Sequence, residues 1–169
     1  MPVLDRGLPI DDRWTDLADD QPLPADGAVI VSLERWRTDR EALTSRGAAV
    51  GVRLKSSQLA TEIAGDLGSL SLVALELPKF RDGRAFSAAR ELRERFGYKG
   101  EIRAFGHIIP DQYLFLTRVG VDTVVVPEDK AGPAWAQALK EMSIAYQPAL
   151  EPDAPVSLLR RHLKGRVPA

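Results

Sequence analysis

Three short apolar runs, Leu72–Leu77, Glu101–Phe105 and Thr123–Val126, are separated by stretches of about 10–14 residues with helical periodicity. No other feature constrains the fold so strongly. Strand, helix, strand, helix, strand in succession predicts a continuous β-α-β-α-β unit and a parallel sheet.

The flanking chain extends the pattern. Ala28–Val31 reads as a strand, and Ser32 suits the cap of the helix that follows, because its hydroxyl can accept from a free first-turn N–H. Leu33, Trp36 and Leu43 mark the apolar side of that helix, which ends near Gly47. Ala49–Leu54 reads as a strand, and Ser56–Ser57 open a helix in which Leu59, Ile63 and Leu67 recur every four residues. Beyond the central unit, Pro133 starts a helix with Trp135, Leu139 and Met142 on one face, and Ser143–Tyr146 reads as an edge strand. Three parts follow: an extended arm over 1–27, rich in Asp and Pro with Trp14 and Leu17 as anchors; an α/β domain over 28–148; and a tail over 149–169. In the tail, Leu158, Leu159 and Leu163 beside Arg160, Arg161 and Lys164 form a short basic amphipathic helix, suited to docking on the body or a partner. The fold class is therefore α/β, a parallel sheet of five or six strands with flanking helices. It is either open and doubly wound or part of a (β/α) barrel.

Strands covered on both faces are almost wholly apolar. Three strands here carry charge inside them, at Arg53, at Glu76, and at Arg103 with Glu101. If the strands pair in sequence order, Arg53, Glu76 and Arg103 form a ladder of alternating sign on one partly polar face. The alternative is that they sit near strand ends and reach water.

Composition narrows the function. A net charge of −1 goes against a general nucleic-acid binder. No apolar run approaches the length of a membrane span, and the start of the chain is unlike a signal peptide, which makes the cytoplasm the expected location. With no cysteine there is no disulfide, thiolate catalysis or cysteine-ligated cluster, and two histidines supply a metal site poorly. Redox chemistry would need a bound organic cofactor or a partner's centre. No GxGxxG follows a strand, and GxxxxGKS/T, GxSxG and HExxH are missing.

Ligands of parallel α/β sheets sit at the carboxyl ends of the strands. Two polar loops are expected there: Pro78-Lys79-Phe80-Arg81-Asp82-Gly83-Arg84 and Gly106-His107-Ile108-Ile109-Pro110-Asp111-Gln112. They would bring Lys79, Arg81, Arg84 and His107 to two helix N-termini, a setting that favours an anion. His107 is also a candidate general base, set against a plain exposed loop histidine. Asp82 could hold a proton, a cation or an arginine, or simply cap the helix beginning near Gly83; Asp111 complements its own helix dipole. Arg90/Glu94 and Glu91/Arg95 read as i,i+4 pairs on a solvated face.

The segment LPKFRDGRAFSAARELRERFGYKGEIRAFGHIIPDQYLFLTRVGVD, Leu77 to Asp122, resembles an uncharacterised bacterial family, a domain of unknown function. That family's signature runs roughly FPKFxDGRGYSxARxLRxRxGxxGExRAxGDVxxDQxxxLxRxGxD. Weaker similarity extends from about Trp14 to Pro148. The match covers Asp82, Gly83, Arg84, Ser87, Arg90, Arg93, Glu101, Arg103, Gly106, Asp111 and Gln112. Ala85 stands for the family's usual Gly, Phe86 for its Tyr and His107 for its Asp. Genes of that family neighbour those for assimilatory sulfite reductase and phosphoadenylylsulfate reductase, and members are labelled as oxidoreductases of sulfite reduction.

The resemblance implies an accessory protein of sulfite assimilation that binds sulfite reductase, another sulfur-assimilation enzyme or a small anion. Two other readings stand beside it: an oxidoreductase with a bound flavin or nicotinamide, and a structural homodimer. Lys79, Arg81, Asp82, Arg84, Arg103, His107, Asp111 and Gln112 are the expected ligand-binding residues, and Arg53, Glu76 and Arg103 the expected buried charges.

Overall fold

The alternation of valine and leucine with small or charged residues already implies that each central strand has two unlike faces. The computed structural model describes residues 1–141. The expected strand at Ser143–Tyr146, Met142 and the tail helix lie outside the described residues. Strands β1 (Val3–Asp5), β2 (Leu8–Ile10), β3 (Trp14–Asp16), β4 (Ala28–Ser32), β5 (Val50–Leu54), β6 (Leu72–Leu77), β7 (Glu101–Gly106) and β8 (Thr123–Val125) form one sheet. Its order is β2-β1-β8-β7-β6-β5-β4-β3. Helices α1 (Leu33–Ser45), α2 (Arg84–Glu94), α3 (Pro110–Arg118) and α4 (Ala134–Glu141) flank it, with a 3₁₀ segment at Ala60–Ser69.

From β3 to β8 the strands are parallel and in sequence order. All the flanking helices pack on one face. Leu33 and Trp36 of α1, Leu92 of α2, Leu116 of α3 and Trp135 of α4 share a core with Val31, Val52, Leu75, Ala104 and Val124 of the strands. A doubly wound sheet would have helices on both faces. The sheet instead curls into a half-barrel with helices outside.

Two expectations need correction. Among the described residues the sheet has eight strands, not five or six, and it is mixed, because β1 runs antiparallel to both β2 and β8. The additional strands come from the first sixteen residues. Each is three residues long, too short to leave a periodic signal, and exists because a sheet edge supplies its partners. The helix expected from Ser56–Ser57 is a 3₁₀ segment beginning at Ala60. With three residues per turn, Ala60, Ile63 and Asp66 fall in one row. Ala60 and Ile63 are buried, and Asp66 accepts a 2.9 Å hydrogen bond from Trp36 Nε1, whereas Leu59 is exposed.

The curl follows from chain length. β2 and β3 occupy opposite edges of the sheet, which if flat would be about 34 Å wide at ~4.8 Å per strand. Only Asp11, Asp12 and Arg13 join them. Four Cα steps from Ile10 to Trp14 span at most about 15 Å. The two edges therefore bend towards each other, and the linking residues cross the concave side. There Trp14 packs on Ile30, Leu72 and Ala74, a second, smaller apolar cluster.

Candidate functional site

β6 and β7 are adjacent and parallel, with Leu77 level with Gly106, so their outgoing loops start side by side. His107 N–H donates to the Leu77 carbonyl at 2.6 Å. Gly106 has φ of +107°, and a Cβ there would lie 2.5 Å from that same carbonyl oxygen, so only glycine fits. Gln112, in the first turn of α3, donates from Nε2 to the Phe80 carbonyl at 3.1 Å and accepts from Ile109 N–H at 3.4 Å. The two loops thus share one rim at the carboxyl ends of the strands.

The expected ligand-binding residues divide into two groups. Arg84 donates from Nε to Asp82 Oδ1 at 2.9 Å and from Nη2 to Asp82 Oδ2 at 2.5 Å. Asp82 Oδ1 also accepts from Arg84 N–H at 3.2 Å, so it serves the first turn of α2 although Gly83 occupies the cap position. Hydrogen bonds from Arg84 hold the Asp82 carboxyl down to about 2. Gln112 is buried between the loops, and Arg103 is occupied elsewhere. In contrast, Lys79, Arg81 and His107 are exposed, and among the described residues their side chains have no hydrogen bond or ion pair. Phe80, between the first two, is 53% exposed. Asp111 is exposed in the first turn of α3.

The polar concave face exists, but its wiring differs from a ladder. Register puts Arg53, Ala74 and Arg103 level, with Glu76 one row further on beside Phe105. Ala74 therefore separates the two arginines. Arg53 pairs with Asp16 of the neighbouring edge. Arg103, only 3% exposed, donates to Asp12 from Nη1 at 2.7 Å and Nη2 at 3.0 Å, and from Nε to Glu101 at 3.0 Å and Thr123 at 3.3 Å. Burial opposes its charge; the Asp12 hydrogen bonds and the Glu101 charge outweigh that and raise its pKa. Arg103 is thus the anchor of the crossing segment.

Glu76 faces a different environment. Its Oε2 accepts from Ser56 N–H at 3.1 Å, and it borders a cleft of about 140 Å³ at the carboxyl ends of β5 and β6. Leu59, Ala60, Leu75 and Ala88 supply apolar wall; Ser56, Glu76 and Arg84 supply polar wall. Arg84 Nη2 donates to Ser56 Oγ at 3.2 Å across it.

Arg93, another position in the matched motif, bonds the carbonyls of Tyr98, Gly100 and Gly120 and pairs with Asp122 at 2.6 Å. It ties α2 to the starts of β7 and β8, away from the rim. A family model described as bacterial protein of unknown function (DUF934) matches residues 51–157. The chain belongs to that family. The DUF934 match spans β5 through α4 and so includes the rim, the cleft and Arg103. No curated protein matches the chain.

Among the described residues of this DUF934 member, no group of three His, Cys, Asp or Glu side chains could hold a metal ion, and no helix is long and apolar enough to cross a membrane. Three contributors escaped the reading of the sequence. Ser56 and Leu59 follow β5, and the strand-end rule used for β6 and β7 would have found them. Asp12 lies 91 residues from Arg103, and no local pattern signals that pairing.

Proposed function

We propose that this protein is an accessory component of assimilatory sulfite reduction that docks on a reductase partner through the β6–β7 rim. One observation carries the choice of surface: an exposed phenylalanine, Phe80, stands between Lys79 and Arg81, two cations without a partner among the described residues, with His107, likewise without one there, on the adjoining loop. An aromatic anchor ringed by basic groups suits an acidic protein surface. The sulfur-assimilation context comes from the resemblance of Leu77–Asp122 to its family. With no cysteine, redox chemistry would need a bound organic cofactor or a partner's centre, and the accessory reading takes the second.

The test is a pull-down of an assimilatory sulfite reductase, repeated with Phe80→Ala/Arg81→Glu. Salt-sensitive capture by the intact protein, lost in the folded variant, is the expected result. Undiminished capture by the variant removes the rim from consideration, and no capture by the intact protein removes the partner. The same rim also suits a small anion. Sulfite, sulfate or phosphate at 100 times its dissociation constant should then add about 2.7 kcal/mol of thermal stability. A yellow purified protein, or saturable quenching of tryptophan fluorescence by NADPH, would replace both readings with a cofactor-dependent oxidoreductase. A dimer by light scattering that persists when the rim is mutated would favour the structural reading.

A further inference from the structure

The cleft between the 3₁₀ segment and α2 contains an unbalanced charge. Three of its charged lining groups are already paired: Arg84 with Asp82, Lys55 with Glu34 at 3.4 Å and Glu91 with Arg95 at 2.6 Å. Glu76 is the exception. Among the described residues it has no ion pair, and while Oε2 accepts from Ser56 N–H, Oε1 has no hydrogen bond. Being half-buried, it has lost part of its hydration; the charge of Arg84 reaches it, but that guanidinium is hydrogen-bonded to Asp82 and Ser56, so a cation in the cleft would supply the ion pair that Glu76 lacks. Beside it lie Leu59, Ala60, Leu75 and Ala88, which suit a short hydrocarbon stem. Leu59, 62% exposed, would be partly covered by such a ligand. The volume of about 140 Å³ compares with the engineered cavity of ~150 Å³ that binds benzene, so the occupant has roughly six heavy atoms.

The geometry points to a binding site for a small organic cation, an ammonium or guanidinium on a short aliphatic stem, with its head on Glu76. Two sources share that chemistry: a free amine and the side chain of a partner's lysine or arginine. The assignment stands apart from the rim, because Lys79, Phe80, Arg81 and His107 do not line the cleft.

The experiment is an NMR titration of the ¹⁵N-labelled full chain at neutral pH with n-pentylamine, with hexanoate and 1-pentanol as controls. Saturable shifts of the Ser56 and Ala88 amides with pentylamine, and weaker or none with the controls, are expected. Glu76→Gln should weaken binding about tenfold. No saturable shift, equal binding of pentanol, or an undiminished affinity in Glu76→Gln overturns the site. Should Glu76→Gln not fold, Ala88→Leu decides: it fills the cleft from α2 and leaves the carboxylate intact, so binding must be lost, and retained binding is a refutation. Displacement of pentylamine by Nα-acetyl-lysine methylamide identifies a partner's side chain as the source; pentylamine binding without such displacement identifies a free amine.

Discussion

Arg103 illustrates how a residue chosen as a ligand contact can be structural. A guanidinium has five donors and no acceptor, and here Asp12, Glu101 and Thr123 engage it on every nitrogen. Removing it strands two carboxylates on the concave side. Arg103→Met is expected to cost about 2–3 kcal/mol in urea unfolding, less than the 3–5 typical of a fully buried pair because Asp12 and Glu101 still reach water. Asp12→Asn should cost less than Arg103→Met; the reverse order would contradict the anchoring role. Asp82 gives a titration prediction. Its pKa falls from 3.8 to about 2 through its hydrogen bonds with Arg84. A folded value below the unfolded one stabilises the fold fully above about pH 4, and the contribution fades as pH drops towards 2. Carboxyl ¹³C shifts should give a midpoint near 2 in the intact protein and return towards the ordinary range in Arg84→Met.

At the scale of elements, the β1–β2 turn shows how closely the N-terminal hairpin fits. Arg6 and Gly7 have φ of 48° and 79°, the left-handed pair of a two-residue hairpin turn. Gly7 N–H donates to Tyr113 Oη at 2.9 Å, and a Cβ on Gly7 would sit 2.5 Å from the backbone of Ala136. Gly7→Ala therefore strains the turn and pushes it off α3 and α4. We expect a loss of at least about 2 kcal/mol, with altered Trp135 fluorescence, since that ring packs edge-on against Tyr113 at 5.5 Å. An unchanged midpoint and spectrum would mean that α4 yields freely. The longer elements were legible because their own residues specify them. Ser32 accepts from Arg35 N–H at 3.0 Å, and the Arg90–Glu94 and Glu91–Arg95 pairs form at 2.8 and 2.6 Å. β1, β2 and β3 were not, since a three-residue strand is made by its neighbours rather than by a pattern of its own.

On the scale of the whole molecule, the sequence left strand order open, and the strands from β3 to β8 lie in chain order; given that order, the meeting of the two rim loops follows from sequential crossovers and could be anticipated. Curvature was one of two alternatives, part of a (β/α) barrel or an open doubly wound sheet, and local pattern did not choose between them. The curl depends on Asp11–Arg13 joining opposite edges, a constraint invisible until those edges are known. For the same reason Glu76 had no foreseeable partner: a one-row offset between β5, β6 and β7 decides whether it meets an arginine or a cleft. Deleting residues 1–13 should remove β1, β2 and the Asp12 anchor together. The expected result is a lower melting temperature and new binding of a hydrophobic dye, as the core loses Leu4 and Trp14, no longer tethered through Asp12, comes away from Leu72 and Ala74. A truncated protein with the parent's melting temperature and no dye binding would show that the crossing segment is dispensable.

That segment also sets an order of assembly. Apart from the β1–β2 hairpin itself, residues 3–16 are synthesised before the strands they pair with, and β1 has no sheet edge to join until Val125 has emerged. Contacts of such wide sequence separation form late. The crossing segment is therefore late to find its place, and until it does, a newborn chain presents Arg103 and the sheet's inner surface to whatever else is in solution.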